Sequence, residues 1–340
     1  MKTFRNYLIT SALLLGFLSV YIPIRYQTTY PRDIGPQFDE RIRTTYLNML
    51  NEEQPEILLF GDSMLAPAVD EALVEGQLGG KTHLVSLPGT ASTIWYLIIK
   101  NNIVLAEHKP KHLVVFFRES MMTVPGYRTT GRYFEQIDEF AAPTDELLIQ
   151  RAYINQMTSL EKFMEGYIPI YSSRWRIRQS LDYYIRYPLG KVLLDCNSTC
   201  MDYAGEVVFE ESNLDITFLS DAIGAADDYL YSKEALDFVD QIDKSFLPEV
   251  IRLCKENDIQ LVLVRMPIRR FYNSESEPSG LSVYVQNLGK YLEENGVPFL
   301  DFDHGKEMPS EYFSDTLHLN EQGKSIFTQK LTESLKAIIK

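Results

Sequence analysis

Residues 57–63 read Ile57-Leu58-Leu59-Phe60-Gly61-Asp62-Ser63. The first four form an uninterrupted apolar run, which is typical of a strand buried on both faces of a parallel sheet. In such sheets the ligand site lies beyond the carboxyl ends of the strands. Ser63 follows the strand on a turn that Gly61 permits, so it stands where a nucleophile would be placed. The alternative is that Asp62 and Ser63 only cap the next helix.

Other apolar runs of strand length follow along the chain, at residues 84–87, 113–117, 261–264 and 298–301. Patterns of helical periodicity separate several of them, at residues 70–78, 91–108, 248–257 and 281–295. Strands alternating with helices predict an α/β domain with a parallel sheet. A final amphipathic helix begins at Glu321, with Asn320 as its N-cap.

The third and fourth strands are separated by far more residues than a simple strand-to-helix connection uses. Residues 120–247 are therefore predicted to form a large, mainly helical insertion. Thr144 is a candidate N-cap for a helix that runs through Phe163, and Ser232 for another. The stretch 167–187 is aromatic and basic. Three interpretations of this stretch remain open. It lines a polysaccharide groove, it faces a membrane surface, or it is an ordinary helix with an aromatic packing face and solvated arginines.

A second chemically suggestive stretch, Ser314-Asp315-Thr316-Leu317-His318-Leu319-Asn320, precedes the last helix. His318 has a carboxylate three residues before it. Nucleophilic catalysis by serine needs a base within hydrogen-bond reach, and that base must be oriented by a third group. Ser63, His318 and Asp315 are therefore the candidate catalytic residues.

Together these two stretches resemble the SGNH (GDSL) hydrolase superfamily, which has an early Gly-Asp-Ser and a late Asp-x-x-His. Residues 312–323 are similar to the last sequence block of that family, and Gly89, in Leu87-Pro88-Gly89, matches the glycine of its second block. The resemblance covers residues 55–119 and 248–335. It implies a flavodoxin-like three-layer α/β/α sandwich, with Ser63 as the nucleophile and Gly89 in the oxyanion hole.

The third block departs from the family pattern, because the asparagine that normally completes the oxyanion hole is missing. The third strand instead ends Phe116-Phe117-Arg118-Glu119-Ser120. Arg118 is a candidate replacement, since a positioned cation also stabilises developing negative charge. Arg265, after the fourth strand, is a second cation at the same sheet edge. The alternative is that both arginines pair with carboxylates such as Glu119.

The N-terminus predicts membrane attachment. Lys2 and Arg5 precede an uncharged stretch from Asn6 to Ile24, which is long enough to cross the hydrocarbon core of a bilayer. No small-x-small cleavage site follows, so an uncleaved signal anchor is favoured over a cleaved signal peptide. The expected organisation is an anchor over residues 1–25, a stalk over 26–54 and an SGNH-like domain over 55–340. That domain is expected outside the cytoplasm, in the periplasm or the extracellular space.

Cysteine usage is compatible with export. Cys196 and Cys200 lie in the short polar segment Cys196-Asn197-Ser198-Thr199-Cys200, and are a candidate disulfide, with two unpaired thiols as the alternative. Cys254 lies in an apolar helical pattern typical of a buried thiol. Zinc is not expected, since no second Cys or His pair stands at ligand spacing. No other cofactor is predicted.

The net charge of −14 argues against a nucleic-acid partner. The expected organisation resembles that of the proteins of alginate and peptidoglycan O-acetylation and of teichoic-acid D-alanylation. It shares with them an N-terminal anchor, an exported SGNH domain and a large insertion. This architecture implies acyl transfer from an acyl donor to a cell-surface glycan, with a membrane-bound O-acyltransferase as partner. Two alternatives remain open: an esterase acting on carbohydrate or lipid, and a non-catalytic assembly or binding protein.

Overall fold

The computed structural model describes residues 2–131, 133–195, 228–269, 280–303 and 308–339, together with residues 200, 226 and 278. The chain divides into two compact units. The smaller combines Met1–Gln37 with Tyr153–Ala226, and the larger combines Phe38–Ala152 with Asp227–Lys340. The predicted insertion and stalk boundaries stay predictions, and residues 196–199 and 201–225 lie outside the described residues.

The larger unit contains a five-stranded parallel sheet in the order β2-β1-β3-β4-β5. Its strands are β1 (Ile57–Gly61), β2 (Thr82–Ser86), β3 (His112–Phe117), β4 (Gln260–Arg265) and β5 (Phe299–Asp301). Leu59 of the first strand is in register with Leu84 on one side and Val114 on the other. This arrangement confirms the predicted α/β class with its parallel sheet. The strand order reverses at β1 and β3, the position where flavodoxin-like sheets open a crevice for ligands.

The apolar runs account for the sheet. Every residue of β1 is buried, whereas the edge strands β2 and β5 are partly exposed. Strands covered on both faces must be apolar throughout, because helices remove both faces from water. The ring of Phe60 packs edge-on against Trp95, and their centroids lie 6.3 Å apart.

Helices cover both faces of the sheet. In chain order, the α-helices of the residues that the structure describes are α1 (Lys2–Tyr26), α2 (Thr45–Glu53), α3 (Leu65–Ala68), α4 (Glu71–Leu78), α5 (Ser92–Ile98), α6 (Tyr133–Phe140), α7 (Glu146–Leu148), α8 (Ser159–Tyr167), α9 (Pro169–Ser172), α10 (Arg174–Leu194), α11 (Phe238–Gln241), α12 (Leu247–Glu256), α13 (Leu281–Glu294) and α14 (Glu321–Lys336). The last helix begins as predicted, since the Asn320 side chain accepts hydrogen bonds from the backbone N–H groups of Gln322 and Gly323.

The smaller unit begins with α1, whose residues Phe4–Tyr26 are long and apolar enough to cross a membrane. At 1.5 Å per residue this segment spans about 34 Å, slightly more than the roughly 30 Å hydrocarbon core. The helices α8, α9 and α10 belong to the same unit, and α9 packs against α1.

The helix predicted from Thr144 through Phe163 and the helix start predicted at Ser232 are both wrong. No single helix runs from Thr144 to Phe163, because Thr158 begins a new one: its hydroxyl accepts the Glu161 N–H, and the Glu161 carboxylate accepts the Thr158 N–H. This capping box competes with continuation of the preceding helix. Ser232 closes a turn by accepting the Ala235 N–H, and helix α11 begins later, after Asp237.

Gly323 is required by close packing in the first turn of α14. A Cβ at this position would collide with the Tyr312 backbone carbonyl, which already accepts the Asn320 N–H at 2.9 Å. We therefore expect Gly323→Ala to destabilise the fold by at least about 1–3 kcal/mol, seen as a lower Tm. The matched control is Gly76→Ala on α4, where the new methyl meets open space and should stabilise the fold by about 0.5–1 kcal/mol. A Gly323→Ala protein as stable as wild type would contradict this packing.

Candidate active site

Ser63 lies on the turn after β1. The Asp62 carboxylate accepts the Met64 N–H at 3.0 Å, an Asx turn that bends the chain directly after the strand. The Asp62 carbonyl accepts the Ser86 hydroxyl at 2.7 Å, which ties this turn to the end of β2. Burial raises the pKa of Asp62, against the opposing influence of the Met64 hydrogen bond and of Arg118, Arg128 and His318. The serine is thus held at the carboxyl edge of the sheet.

His318 and Asp315 lie on a tightly closed loop. Phe313 and Leu319 form an antiparallel bridge, and the Ser314 N–H donates to the His318 carbonyl at 2.9 Å. One oxygen of the Asp315 carboxylate accepts the backbone N–H groups of Leu317 and His318, at 2.7 and 2.8 Å. The loop backbone therefore fixes the position of the carboxylate through one oxygen and leaves the other oxygen to contact the imidazole.

The structure brings the three predicted catalytic residues together. His318 Nδ1 lies 2.7 Å from Asp315 Oδ2, and His318 Nε2 lies 3.2 Å from Ser63 Oγ. Burial acts to raise the pKa of Asp315, but the hydrogen bonds from the backbone and ring of His318 outweigh it and hold that pKa below its ordinary value. An ionised Asp315 keeps a proton on Nδ1, which leaves Nε2 free to accept the Ser63 proton. This is the geometry that nucleophilic serine chemistry requires.

Gly89 lies on the turn after β2, at the same sheet edge. The Thr90 N–H donates to the Leu87 carbonyl at 3.2 Å, with Pro88 second and Gly89 third in the turn. Gly89 has a φ of +78°, which fits the type II turn that this sequence specifies. The Leu87 N–H donates to the Gly61 carbonyl at 2.9 Å, so the turn is held beside the end of β1.

The backbone N–H groups of Ser63 and Gly89 follow the ends of β1 and β2, at the same edge of the sheet. Within the described part of the chain, no protein acceptor takes a hydrogen bond from either group. Unsatisfied N–H groups beside a nucleophile are what an oxyanion hole is built from. The placement of Gly89 in an oxyanion hole stays a prediction.

Arg118 and Glu119 follow β3, and both are buried. Glu119 has a φ of +48°, an uncommon conformation for a residue with a side chain, so the chain bends sharply here. The charge of Arg118 acts on both Asp62 and Glu119. Arg118 thus lies in the electrostatic surroundings of the Ser63 turn, and its oxyanion role stays a prediction.

The Arg265 guanidinium forms ion pairs with two carboxylates. Its Nε and Nη2 donate to the two carboxylate oxygens of Asp301, at 2.8 and 3.2 Å, and Nη1 lies 3.2 Å from Asp303 Oδ2. A buried bidentate pair of this kind occupies the guanidinium. The geometry therefore favours the structural alternative for Arg265 over direct contact with substrate.

Arg128 is a cation near the site that the sequence did not single out. Its guanidinium carbon lies 5.0 Å from the Tyr127 ring centroid and 5.5 Å from that of Tyr133, and Tyr133 in turn packs against Gly89. Its Nη1 is enclosed and makes no hydrogen bond within the described chain. A guanidinium stacked in this way can present an N–H to a negatively charged group. In the sequence, the only signal of this stacked arginine was its aromatic neighbour, Tyr127.

Glu119 should make stability depend on pH. Burial raises its pKa from an ordinary 4.5 to about 7, since Arg265 and Arg118 offset only part of the desolvation and of the repulsion from Asp303. Between pH 4.5 and 7 the folded protein then binds more protons than the unfolded chain, so the free energy of unfolding falls as pH rises. We expect Tm to fall across this window, and to fall less in Glu119→Gln, which cannot ionise. Parallel Tm curves for the two proteins would contradict this expectation.

Among the residues that the structure describes, no group of three or more His, Cys, Asp or Glu is placed to hold a metal ion. Cys254 is a buried free thiol. The candidate disulfide involves Cys196, which lies outside the described residues, so the pairing stays a prediction.

Comparisons with known proteins concern the fold. A protein-family model matches residues 222–340, which is less than half of the chain. No curated protein matches the sequence. The chain is similar to the solved structure of a protein described as an acylhydrolase from Bacteroides fragilis, at 11% identity and a TM-score of 0.40, over 87% of this chain and 96% of that chain.

It is similar also to a GDSL-like lipase from Bacteroides thetaiotaomicron, at 10% identity and a TM-score of 0.37, over 84% of this chain and 90% of that chain. A protein described as an arylesterase from Agrobacterium tumefaciens matches at 11% identity and a TM-score of 0.33, over 83% of this chain and 98% of that chain. Likenesses this distant carry no argument about what the chain does.

Proposed function

We propose that this chain, an SGNH hydrolase-like fold with Ser63, His318 and Asp315 in one hydrogen-bonded series, is an enzyme that forms an acyl-serine intermediate on Ser63. The observation that carries the proposal is the pair of contacts at His318, 3.2 Å to the serine hydroxyl and 2.7 Å to the carboxylate. A serine hydroxyl is a weak nucleophile until a base takes its proton, and these contacts supply that base.

The first half of the reaction acylates the enzyme. Ser63 Oγ attacks the acyl carbonyl carbon while its proton passes to His318 Nε2. The carbonyl oxygen becomes negatively charged, and the N–H groups of Ser63 and Gly89 donate to it. The protonated imidazole, stabilised by Asp315, then gives its proton to the leaving oxygen as the carbon–oxygen bond of the donor breaks.

The second half returns the enzyme to its starting state. His318 takes a proton from the acceptor hydroxyl, whose oxygen attacks the acyl carbon, and Ser63 Oγ leaves with the proton from the imidazole. If the acceptor is a sugar, the product is an O-acylated glycan; if it is water, the product is a free acid. We propose a cell-surface glycan as the acceptor, because α1 would hold the rest of the chain at the membrane surface.

The fate of the acyl group tests transfer against hydrolysis. The full chain in detergent is acylated with p-nitrophenyl acetate, and soluble glycan oligosaccharides are then added. We expect acylated oligosaccharide, measured by mass spectrometry, to increase with glycan concentration at the expense of free acetate. Ser63→Ala is the control for uncatalysed transfer. Release of acetate alone, at every glycan concentration, would show that the enzyme is an esterase.

We propose further that α1 remains as a single-pass anchor, with the enzyme on the outer side of the membrane and a membrane-bound O-acyltransferase as its source of acyl groups. Alkaline phosphatase, which is active only after export, should be active when fused to the C-terminus. Activity only of a cytoplasmic reporter at the same position would overturn this topology.

A further inference from the structure

Helix α8 has its apolar side turned outward. Leu160, Phe163 and Tyr167 are 67%, 54% and 56% exposed, and their spacing of three and four residues places them on one face. The rings of Phe163 and Tyr167 stack with centroids 5.2 Å apart. On the other side Glu165, a charged residue, is only 3% exposed. We call Leu160, Phe163 and Tyr167 the α8 stripe.

Ion pairs to the buried Glu165 carboxylate enforce this inverted orientation. The Glu165 carboxylate accepts Nη1 of Arg174 at 2.5 Å and Nη2 of Arg32 at 3.3 Å. The Arg32 backbone N–H also donates to the Gly166 carbonyl at 3.1 Å. Turning the stripe inward would break this arrangement and leave the Glu165 carboxylate without its cations, which is strongly destabilising for a buried charge. The fold therefore retains the pairs and leaves the stripe exposed.

The stripe is costly to leave in water. Removing apolar surface from water is favourable, so three large apolar side chains exposed on one face offer a driving force for contact. Contiguous exposed apolar surface of this kind typically marks an interaction site.

The position of α8 indicates what covers the stripe. The segment that holds it follows α1 directly: besides the Arg32 contacts, the Tyr30 hydroxyl lies 2.6 Å from Ser172 Oγ in α9. Arg32 comes six residues after Tyr26, the last residue of the apolar helix, and six extended residues reach about 20 Å at most. The α8 stripe is thus tethered close to the level where α1 would leave the bilayer.

We propose that the α8 stripe inserts into the boundary between lipid headgroups and acyl chains of the membrane that α1 enters. Aromatic rings with a polar edge, such as Tyr167, favour this boundary, and Phe and Leu suit the acyl side. The contact gives the smaller unit a second attachment besides α1. It does not depend on the proposed acyl transfer.

Lipid-dependent quenching of tryptophan tests the contact in the full chain. Phe163→Trp protein is reconstituted into phosphatidylcholine vesicles with or without lipid brominated near the headgroup end of its acyl chains. The control is Val239→Trp, at a position 73% exposed on α11 of the larger unit. Wild-type emission from Trp95 and Trp175 is subtracted. We expect the emission added by Phe163→Trp to be blue-shifted and mostly lost in brominated vesicles, and the emission added by Val239→Trp to be unaffected.

Two results would overturn the proposal. Added emission from the Phe163→Trp protein that is water-like and unquenched would show an exposed stripe. Blue-shifted emission that brominated lipid does not quench would show that protein, and not lipid, covers the stripe. Tyr167→Trp repeats the measurement at the second ring, so that a local disturbance at position 163 does not decide the outcome.

Discussion

Replacing Ser63 with alanine should abolish labelling of the protein by a fluorophosphonate probe. The probe reacts with a serine whose proton a neighbouring base removes, and Ser63 Oγ lies 3.2 Å from His318 Nε2. Alanine lacks the oxygen, so no covalent product can form there. The side chain is only partly buried, and the fold should survive the loss of one oxygen.

The control for this variant is Ser334→Ala. Ser334 is half-buried like Ser63, but it lies near the end of α14 and makes none of the contacts that hold the Ser63 turn. Labelling should persist in this variant. Equal labelling of wild type and Ser63→Ala would favour a non-catalytic protein that has kept the fold.

Replacing His318 with alanine should slow acylation of Ser63 by about 10⁴-fold or more, because base and nucleophile act as a unit. Asp315→Asn should cause at most a comparable loss, since the carboxylate orients the imidazole without accepting its proton. Both rates are measured by the release of p-nitrophenol in the first turnover.

His83→Ala is the matched histidine control. His83 Nδ1 lies 2.9 Å from a Glu53 carboxylate oxygen, so this imidazole also has an acidic neighbour, but it belongs to the edge strand β2. Its removal should leave the acylation rate unchanged. A His318→Ala protein that acylates as fast as the His83→Ala protein would exclude His318 as the base.

The sequence predicted the sheet and the last helix well, because local composition decides both. Buried parallel strands must be apolar throughout, and the five runs stand out against polar connections. The flavodoxin-like parallel sheet that the resemblance implied is confirmed by the strand order. Asn320 caps its helix with its own side chain, so its role is also visible locally. The helix predicted across Thr158 was wrong. A threonine that caps a helix and a threonine inside a helix look alike in the sequence, and only Glu161, three residues later, marks Thr158 as a cap.

The surroundings of Ser63 were harder to predict, because they depend on contacts distant in sequence. Asp315 and His318 lie three residues apart, so their pairing was visible as spacing. Arg265 is paired with Asp301 on the neighbouring strand, and the stacking of Arg128 depends on Tyr133. Which buried cation meets which carboxylate is decided by strand register and loop packing, and neither can be read from the order of residues.

The most direct test of the acyl-serine intermediate is the intact mass of the full chain after brief exposure to p-nitrophenyl acetate near neutral pH, followed by an acid quench that stops deacylation. We expect a single acetyl adduct, mapped by peptide sequencing to Ser63 and absent from Ser63→Ala. An unmodified wild-type mass, or an acetyl group on another residue with Ser63 unmodified, would contradict it.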